Sequence, residues 1–184
     1  MKKIILPTMF TCFLSLTFSS AVKGQGLTPE DIKLQMVKDW ERAKAYTIDY
    51  LNTMPADKYG FKAVDSIRSF AQQMLHLASG NVFIMMTAAG TAPLPWLSFG
   101  LENRTSAQTK DSVVYYVTAS YDYCMNAVKN SEINKWGEKI KMFNNEVTRW
   151  ALMNKTFEHQ DHHRGQTTIY IRLNDIRPPQ ERLF

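Results

Sequence analysis

Segment 146–173, EVTRWALMNKTFEHQDHHRGQTTIYIRL, decides the fold class of this chain. It contains no proline, and the pair Pro178-Pro179 follows it closely. Because proline removes a backbone hydrogen bond and clashes with the preceding turn, the pair predicts the end of one long helix. Three of the four histidines of the chain also lie in this segment. The segment therefore predicts a helix that carries most of the imidazoles available for binding a transition metal.

Three more helices are predicted upstream of this one. Thr28 is a suitable N-cap and Pro29 suits the first helical position, so a first helix begins there and ends before Pro55. The connection over 89–108 is rich in glycine and proline and separates the second helix from the third. The second, third and fourth helices are predicted over 65–89, 110–129 and 146–173. This pattern predicts an all-α fold, a single four-helix bundle over residues 25–184.

The composition is that of one folded domain. The chain has 184 residues, of which 45% are hydrophobic and 21% are charged. This length accommodates one hydrophobic core, and the balanced composition excludes a disordered or collagen-like protein. Two cysteines, Cys12 and Cys124, are too few for a disulfide framework. Cys124 lies among tyrosines and a methionine, which predicts a buried and unreactive thiol.

Residues 1–24 have the pattern of a signal peptide. Two lysines precede an apolar run over 4–18, and small residues follow it. The run is shorter than the roughly 20 apolar residues that a membrane-spanning helix needs. We therefore expect export to the periplasm or the medium, with cleavage after Ala21 or Gly24 and no stable membrane anchor.

The charge of the chain depends on this cleavage. The full sequence carries a formal charge of +5, and cleavage after Gly24 removes three lysines and no acid, which leaves +2. The remaining basic residues are interspersed with acids and form no basic stripe. We therefore expect no nucleic-acid partner. Separately, we expect a small-molecule substrate of unknown identity.

Three of the histidines form a candidate metal site. His159 and His163 lie one helical turn apart and face the same way on the predicted fourth helix. Such a pair can chelate one cation, although an exposed histidine cluster without a ligand would show the same spacing. His76 lies among apolar residues of the predicted second helix, where an unpaired imidazole is costly to bury. Because bundles build metal sites from facing helices, we expect the three to form one site with a vacant ligand position.

Residues near this site bear on its chemistry. Ser79 and Gly80 lie one turn after the histidine of the second helix and leave space beside its imidazole, although close helix packing would also explain the glycine. Glu158 and Asp161 lie off the face of the histidine pair, so this stretch supplies no general base, although an acid from the first or third helix could supply one. Imidazole ligands suit several transition metals, and we expect a divalent cation, zinc or nickel.

Two motifs of the chain resemble one family. The first is LHLA over 75–78, and the second is HQDHHRGQ over 159–166 followed by YIRLNDIRPP over 170–179. Together they resemble the DinB/YfiT-like family, and weaker similarity extends over most of the predicted domain. The resemblance implies four helices in an up-down-down-up order, a divalent metal bound by three histidines, and a homodimer.

The resemblance also implies which residues bind the metal. Carried over to this sequence, the ligands are His76, His159 and His163. His162 matches the histidine of the motif that is not the usual ligand, so we expect it to support the site. The export signal departs from the cytosolic members of the family, so a cytosolic thiol is not carried over as co-substrate.

Three functions remain open from the sequence. The first is a metal-dependent enzyme in which the cation activates a water or thiol nucleophile, with thiol-transferase-like or hydrolase-like chemistry. The second is a periplasmic bundle that binds a metal or a small ligand without catalysis. The third is a structural bundle whose histidines are incidental. Beyond the metal ligands, the sequence assigns no catalytic residue.

Overall fold

The computed structural model describes residues 26–184, so the predicted signal peptide lies outside the described residues. Four long helices account for most of the described chain, which confirms the prediction of a four-helix fold. They are α1 Pro29–Thr53, α2 Phe70–Ala89, α3 Lys110–Asn130 and α4 Arg149–Arg172. None of the helices within this part of the chain has the length and apolarity that a membrane span requires.

Helix α1 begins where the sequence predicts. The Thr28 hydroxyl accepts a hydrogen bond from the backbone N–H of Asp31, and the Asp31 carboxylate accepts one from the backbone N–H of Thr28. This capping box satisfies two backbone donors that the first turn leaves unpaired. Pro29 occupies the first helical position, where its missing N–H costs nothing.

Helix α2 begins at Phe70, five residues later than predicted. Ser69 and Gln72 form a capping box there, in which each side chain accepts a hydrogen bond from the backbone of the other residue. The cap therefore sets the start of the helix more strongly than the apolar pattern does. At the other end, Gly90 adopts a left-handed conformation with φ 71°, which glycine reaches at low cost.

A two-stranded antiparallel hairpin, which the sequence pattern did not indicate, precedes α4. Its strands are β1 Lys139–Met142 and β2 Asn145–Thr148. The predicted start of the fourth helix at residue 146 is therefore wrong, and α4 begins at Arg149. The hydroxyl of Thr148 caps the first turn of α4, so the last residue of the strand is also the N-cap of the helix.

Contacts between helix ends fix the directions of the helices. The start of α3 meets the end of α1, where Lys110 Nζ donates a hydrogen bond to the carbonyl of Met54 at 2.9 Å. The start of α4 meets the end of α2, where Arg149 Nη1 donates to the carbonyl of Ala88 at 3.0 Å. The late turns of α1 and α4 also hydrogen-bond to each other. Helices α1 and α4 thus run in one direction, and α2 and α3 run in the other.

The core lies between the four helices. Its fully buried side chains include Trp40 of α1, Met74 and Leu77 of α2, and Tyr121 of α3. Burial of each large apolar side chain is worth about 1.5–3 kcal/mol. Trp40 packs edge-on against Tyr121 with ring centroids 5.6 Å apart. Cys124 is also buried, and burial raises the pKa of its thiol, as expected for an unreactive cysteine.

Candidate metal centre

Antiparallel packing of α2 against α4 brings three imidazoles together. His76 lies on α2, and His159 and His163 lie one turn apart on α4. One ring nitrogen of each lies within 4.8 Å of the other two. The ring of His76 lies 5.6 Å from that of His159 and 4.6 Å from that of His163, measured between centroids. These three residues, called the histidine triad below, could hold one metal ion.

Burial keeps two of the three imidazoles neutral. It lowers the pKa of His159 to about 4 and that of His163 to about 3, and the neighbouring imidazoles act in the same direction. A neutral imidazole retains the nitrogen lone pair that a metal ion binds. At pH 7 these two rings therefore bind a cation without first losing a proton.

Glu102 contacts the triad from the connection between α2 and α3. It lies in a short 3-10 turn, Leu101–Asn103, that follows Gly100, whose φ is 76°. Nδ1 of His76 donates a hydrogen bond to Oε1 of Glu102 at 3.2 Å, and the neutral ring then has Nε2 free for a ligand. The acid that contacts the triad therefore comes from the connection, and not from the first or third helix, which the sequence suggested as possible sources.

Gln73 supports the ring of His163 in a similar way. Its side-chain amide nitrogen lies 2.8 Å from Nδ1 of His163. A half-turn of the amide presents Oε1 instead, and Nδ1–H then donates to it and leaves Nε2 free. Gln73 and His76 lie three residues apart on α2, so one face of this helix supplies both a ligand and a support.

Gly80 makes room for His159. A Cβ atom at position 80 would overlap the ring of His159 and lie 2.7 Å from both of its nitrogens. The space predicted beside this glycine is therefore real, but His159 of α4 fills it. Nδ1 of His159 is buried and has no hydrogen-bond partner within residues 26–184. A buried, unpaired ring nitrogen is costly, and a bound cation can satisfy an imidazole lone pair, so the residues present fit a metal ion.

His162 lies outside the triad. It is exposed, and its Nε2 lies 3.1 Å from the side-chain nitrogen of Gln166. Its ring still packs against that of His163, with centroids 4.9 Å apart. The structure thus separates His162 from the three converging histidines, although it neighbours one of them in sequence and in space.

The two acids of the histidine motif face away from the triad, as their positions predict. Glu158 pairs with Lys155 at 3.0 Å on the exposed surface. Asp161 pairs with the buried guanidinium of Arg164 on the same helix. Neither carboxylate belongs to the group of converging ligand atoms.

Two clefts open beside the triad, and Glu102 lines both. The polar cleft has a volume of about 750 Å³ and is lined by residues that include Arg68 and Tyr170. The apolar cleft has a volume of about 260 Å³ and reaches His76. Its apolar side chains are Phe83, Met86, Leu97 and Phe99. The triad therefore lies beside two spaces of different chemical character.

Known protein structures share this fold at low sequence identity. A DinB-like protein from Bacillus cereus ATCC 10987 has a TM-score of 0.68 at 12% identity, over 79% of this chain and 95% of its own. A conserved protein from Enterococcus faecalis has a TM-score of 0.63 at 16% identity, over 77% and 96%. A DinB-like protein from Bacillus subtilis has a TM-score of 0.59 at 20% identity, over 82% and 96%.

The sequence itself matches a protein family over nearly the whole described chain. Among curated proteins none matches it. The family description that matches is that of DinB, and it covers residues 25–180. The two motifs that resemble this family lie on α2 and on and just after α4, and α2 and α4 also carry the triad. This chain belongs to the DinB family.

Proposed function

We propose that this protein is an enzyme that depends on a divalent cation bound by the histidine triad. The observation that carries the proposal is the convergence of one nitrogen from each of three imidazoles within 4.8 Å. When bound, a divalent cation supplies Lewis acidity, which lowers the pKa of a water or thiol ligand. Three protein ligands are typical of catalytic sites, which keep a position for such a molecule, whereas structural zinc sites use four. We propose zinc or nickel, because imidazole suits both.

Residues around the triad hold its donors in place. Glu102 accepts a hydrogen bond from His76 and fixes the orientation of that ring. The side-chain amide of Gln73 lies within hydrogen-bond distance of Nδ1 of His163, and Gly80 leaves the space that the ring of His159 occupies. Such fixed donors lose little side-chain freedom when a cation binds, which favours affinity.

Glu102 is also the carboxylate placed to move a proton at this site. It is 15% exposed and lines both clefts, while only its Oε1 contacts His76. The second carboxylate oxygen is therefore available to accept a proton from a water or thiol in either cleft. Its acceptance of a hydrogen bond from His76 supports a positioning role as well.

Turnover distinguishes this proposal from metal binding without catalysis. Untagged protein loaded with one equivalent of Zn²⁺ or Ni²⁺ would be assayed on a panel of carboxylic esters and on thiols paired with alkylating electrophiles. We expect turnover in one of the two panels, lost in His163→Ala and retained in the matched variant His162→Ala. One cation per chain without turnover in either panel would instead favour a binding protein that sequesters a metal or small ligand.

We also propose that the domain acts outside the cytoplasm. The pattern of residues 1–24 supports export, and N-terminal sequencing of protein from the periplasm of an expression host would test it. We expect the mature chain to begin at Val22 or Gln25, and a chain that begins at Met1 would contradict export. The homodimer stays a prediction that light scattering of the purified protein can check.

A further inference from the structure

We propose that the apolar cleft is a substrate subsite for a neutral group about the size of an aromatic ring, attached close to the reacting atom. This inference rests on the proposed function, because the cleft serves a reaction only if the triad binds a cation. It adds a substrate class, namely neutral compounds with a ring-sized apolar substituent.

The cleft is continuous with the triad. His76 and Glu102 both line it, and they form the hydrogen-bonded pair described above. Ser79 and Gly80 line it next to His76. A molecule in the cleft is therefore adjacent to a triad imidazole and to the carboxylate that orients it.

The lining selects for neutral, apolar groups. Phe83, Met86, Leu97 and Phe99 supply most of the surface, and Glu102 is the one formally charged side chain among the described residues that line the cleft. Glu102 disfavours an anionic group. Its Oε1 already lies 3.7 Å from the guanidinium of Arg68 and 3.2 Å from Nδ1 of His76, which weakens its attraction for a cationic group. A neutral apolar group forms no strong interactions with water, so its transfer from water into the cleft is favourable.

Two aromatic side chains at this cleft are more exposed than their size favours. Phe83 of α2 is only half-buried and lines the cleft. Phe99 is 95% exposed and meets Phe83 edge-on with centroids 5.8 Å apart. Phe143, in the turn of the hairpin, also packs against the ring of Phe83, with centroids 6.1 Å apart. A bound ring would cover part of this apolar surface.

The volume and one polar atom limit what fits. A cavity of about 150 Å³ holds benzene in other proteins, so a cleft of about 260 Å³ takes a ring with a short linker. The hydroxyl of Ser79, which lines the cleft, has no hydrogen-bond partner in the part of the chain that the structure describes. This oxygen is buried, so a polar atom on the linker can pair with it only after the Ser79 side chain rotates towards the cleft.

The first test uses metal-free protein, so that it does not depend on the cation. Protein carrying ¹³C-methyl methionine would be titrated with benzyl alcohol and, separately, with glycerol, and Met86→Leu would assign the Met86 signal. We expect a saturable shift of the Met86 signal with benzyl alcohol only. No saturable shift, or an equal shift with glycerol, would overturn the inference. A shift of the Met86 signal with protein concentration, and not with the concentration of benzyl alcohol, would also overturn the inference. The cleft would then be an interface between two copies of the chain.

The second test places the ring next to the reacting atom. Phenylmethanethiol and 2-mercaptoethanol would be titrated into Co²⁺-loaded protein, and thiol binding would be followed by optical absorption. We expect the aromatic thiol to bind at least about tenfold more tightly. In Phe83→Ala, which removes a wall of the cleft, the two thiols should bind with nearly equal affinity. The same is expected in Met86→Trp, because the larger side chain fills the cleft. The preference for the aromatic thiol should persist in Phe61→Ala, since Phe61 is also half-buried but packs against Tyr170 away from the cleft.

The two tests separate the inference from the proposed function. Equal binding of the two thiols to Co²⁺-loaded protein would overturn the subsite and leave the metal proposal intact. If the protein takes up no Co²⁺, the metal proposal fails, and the Met86 titration alone decides whether the cleft binds a neutral ring.

Discussion

Helix α4 carries two neighbouring polar clusters whose side chains are satisfied in different ways. In the Arg164 network, formed by Arg164, Gln160, Tyr121 and Thr47, the side chains hydrogen-bond to one another. Tyr121 and Arg164 both donate to Oε1 of Gln160, at 2.8 and 2.9 Å. Thr47 and Tyr121 share a hydrogen bond of 2.7 Å. In the histidine triad the rings face one another, and the described residues provide no hydrogen bond between them.

This difference separates a cluster that stabilises the fold from one that is available to a ligand. A buried polar atom without a partner costs about 1–3 kcal/mol, so an evolved core rarely contains one without a use. In the network, Arg164 and Tyr121 donate to groups of the same chain, although Nε2 of Gln160 has no partner within residues 26–184. The triad differs in that one ring nitrogen of each histidine lies within 4.8 Å of the other two. The triad leaves Nδ1 of His159 unpartnered within residues 26–184 and holds His159 and His163 neutral. Variants that affect one cluster and not the other test this distinction.

Among substitutions that remove no ligand atom, Gly80→Ala is expected to have the largest effect on the triad. The added Cβ would overlap the ring of His159, so this imidazole must leave its position. We expect affinity for Zn²⁺ to fall about 1000-fold, equal to about 4 kcal/mol. Competition with a chromophoric chelator would measure it. The matched control is Gly165→Ala, because a Cβ at position 165 meets open space, and unchanged affinity in both variants would contradict the role of Gly80.

The network is expected to respond in stability instead. Arg164→Met keeps the approximate length of the side chain but removes the partner of Asp161 and one of the two donors to Oε1 of Gln160. We expect the free energy of unfolding to fall by about 2–3 kcal/mol, while one cation per chain still binds. Urea denaturation and metal analysis would measure the two quantities. The control Arg172→Met changes an exposed arginine of the same helix, and equal stability of the two variants would place the network among dispensable contacts.

Glu102→Gln sharpens the comparison because it acts on the triad through a hydrogen bond. Glutamine keeps the size of the side chain and can still accept a hydrogen bond from Nδ1 of His76, but it carries no negative charge. Loss of such support to a metal ligand typically lowers affinity about 10–100-fold, and we expect a change in this range. The control Glu132→Gln removes an exposed carboxylate that pairs with Lys135 at 2.7 Å. If both variants bind Zn²⁺ like the unchanged protein, Glu102 does not position His76.

A further difference between the clusters is a dependence of metal-free stability on pH, which arises from the triad. Burial lowers the pKa of His159 to about 4 and of His163 to about 3, while unfolded histidines titrate near 6.5. Between these values the unfolded chain binds more protons, so stability present above pH 6.5 is lost as the pH falls towards 4. Urea denaturation at pH 7 and pH 5 would show the loss. The double variant His159→Gln/His163→Gln should show a smaller one, and an identical loss would contradict burial of neutral imidazoles.

Much of the metal centre could be predicted because its signals are local. The spacing of His159 and His163 by one turn puts both on one face of any regular helix, whatever the rest of the chain does. To include His76, one must also assume that α2 packs against α4. The assumption is reasonable because helical bundles build metal sites from side chains on facing helices. The structure brings all three together within 4.8 Å, as expected from the sequence.

The residues that could not be predicted act over long separations or in irregular segments. Glu102 lies in a 3-10 turn, 26 residues from His76 in sequence. The residues around it show neither helical nor strand periodicity, so the sequence does not predict that its side chain contacts His76. The hairpin was missed because each of its strands has only four residues, too few to give a clear alternation. Gly80 was recognised as leaving room, but only the packing of α4 shows that His159 fills it.

The most direct test of the account is the metal content of untagged protein after equilibration with Zn²⁺ and gel filtration, measured by elemental analysis together with protein concentration. The account predicts one cation per chain in the unchanged protein and in His162→Ala, and none in His76→Ala, His159→Ala or His163→Ala. Retention of the cation in His163→Ala together with its loss in His162→Ala, or no cation in the unchanged protein, would contradict it.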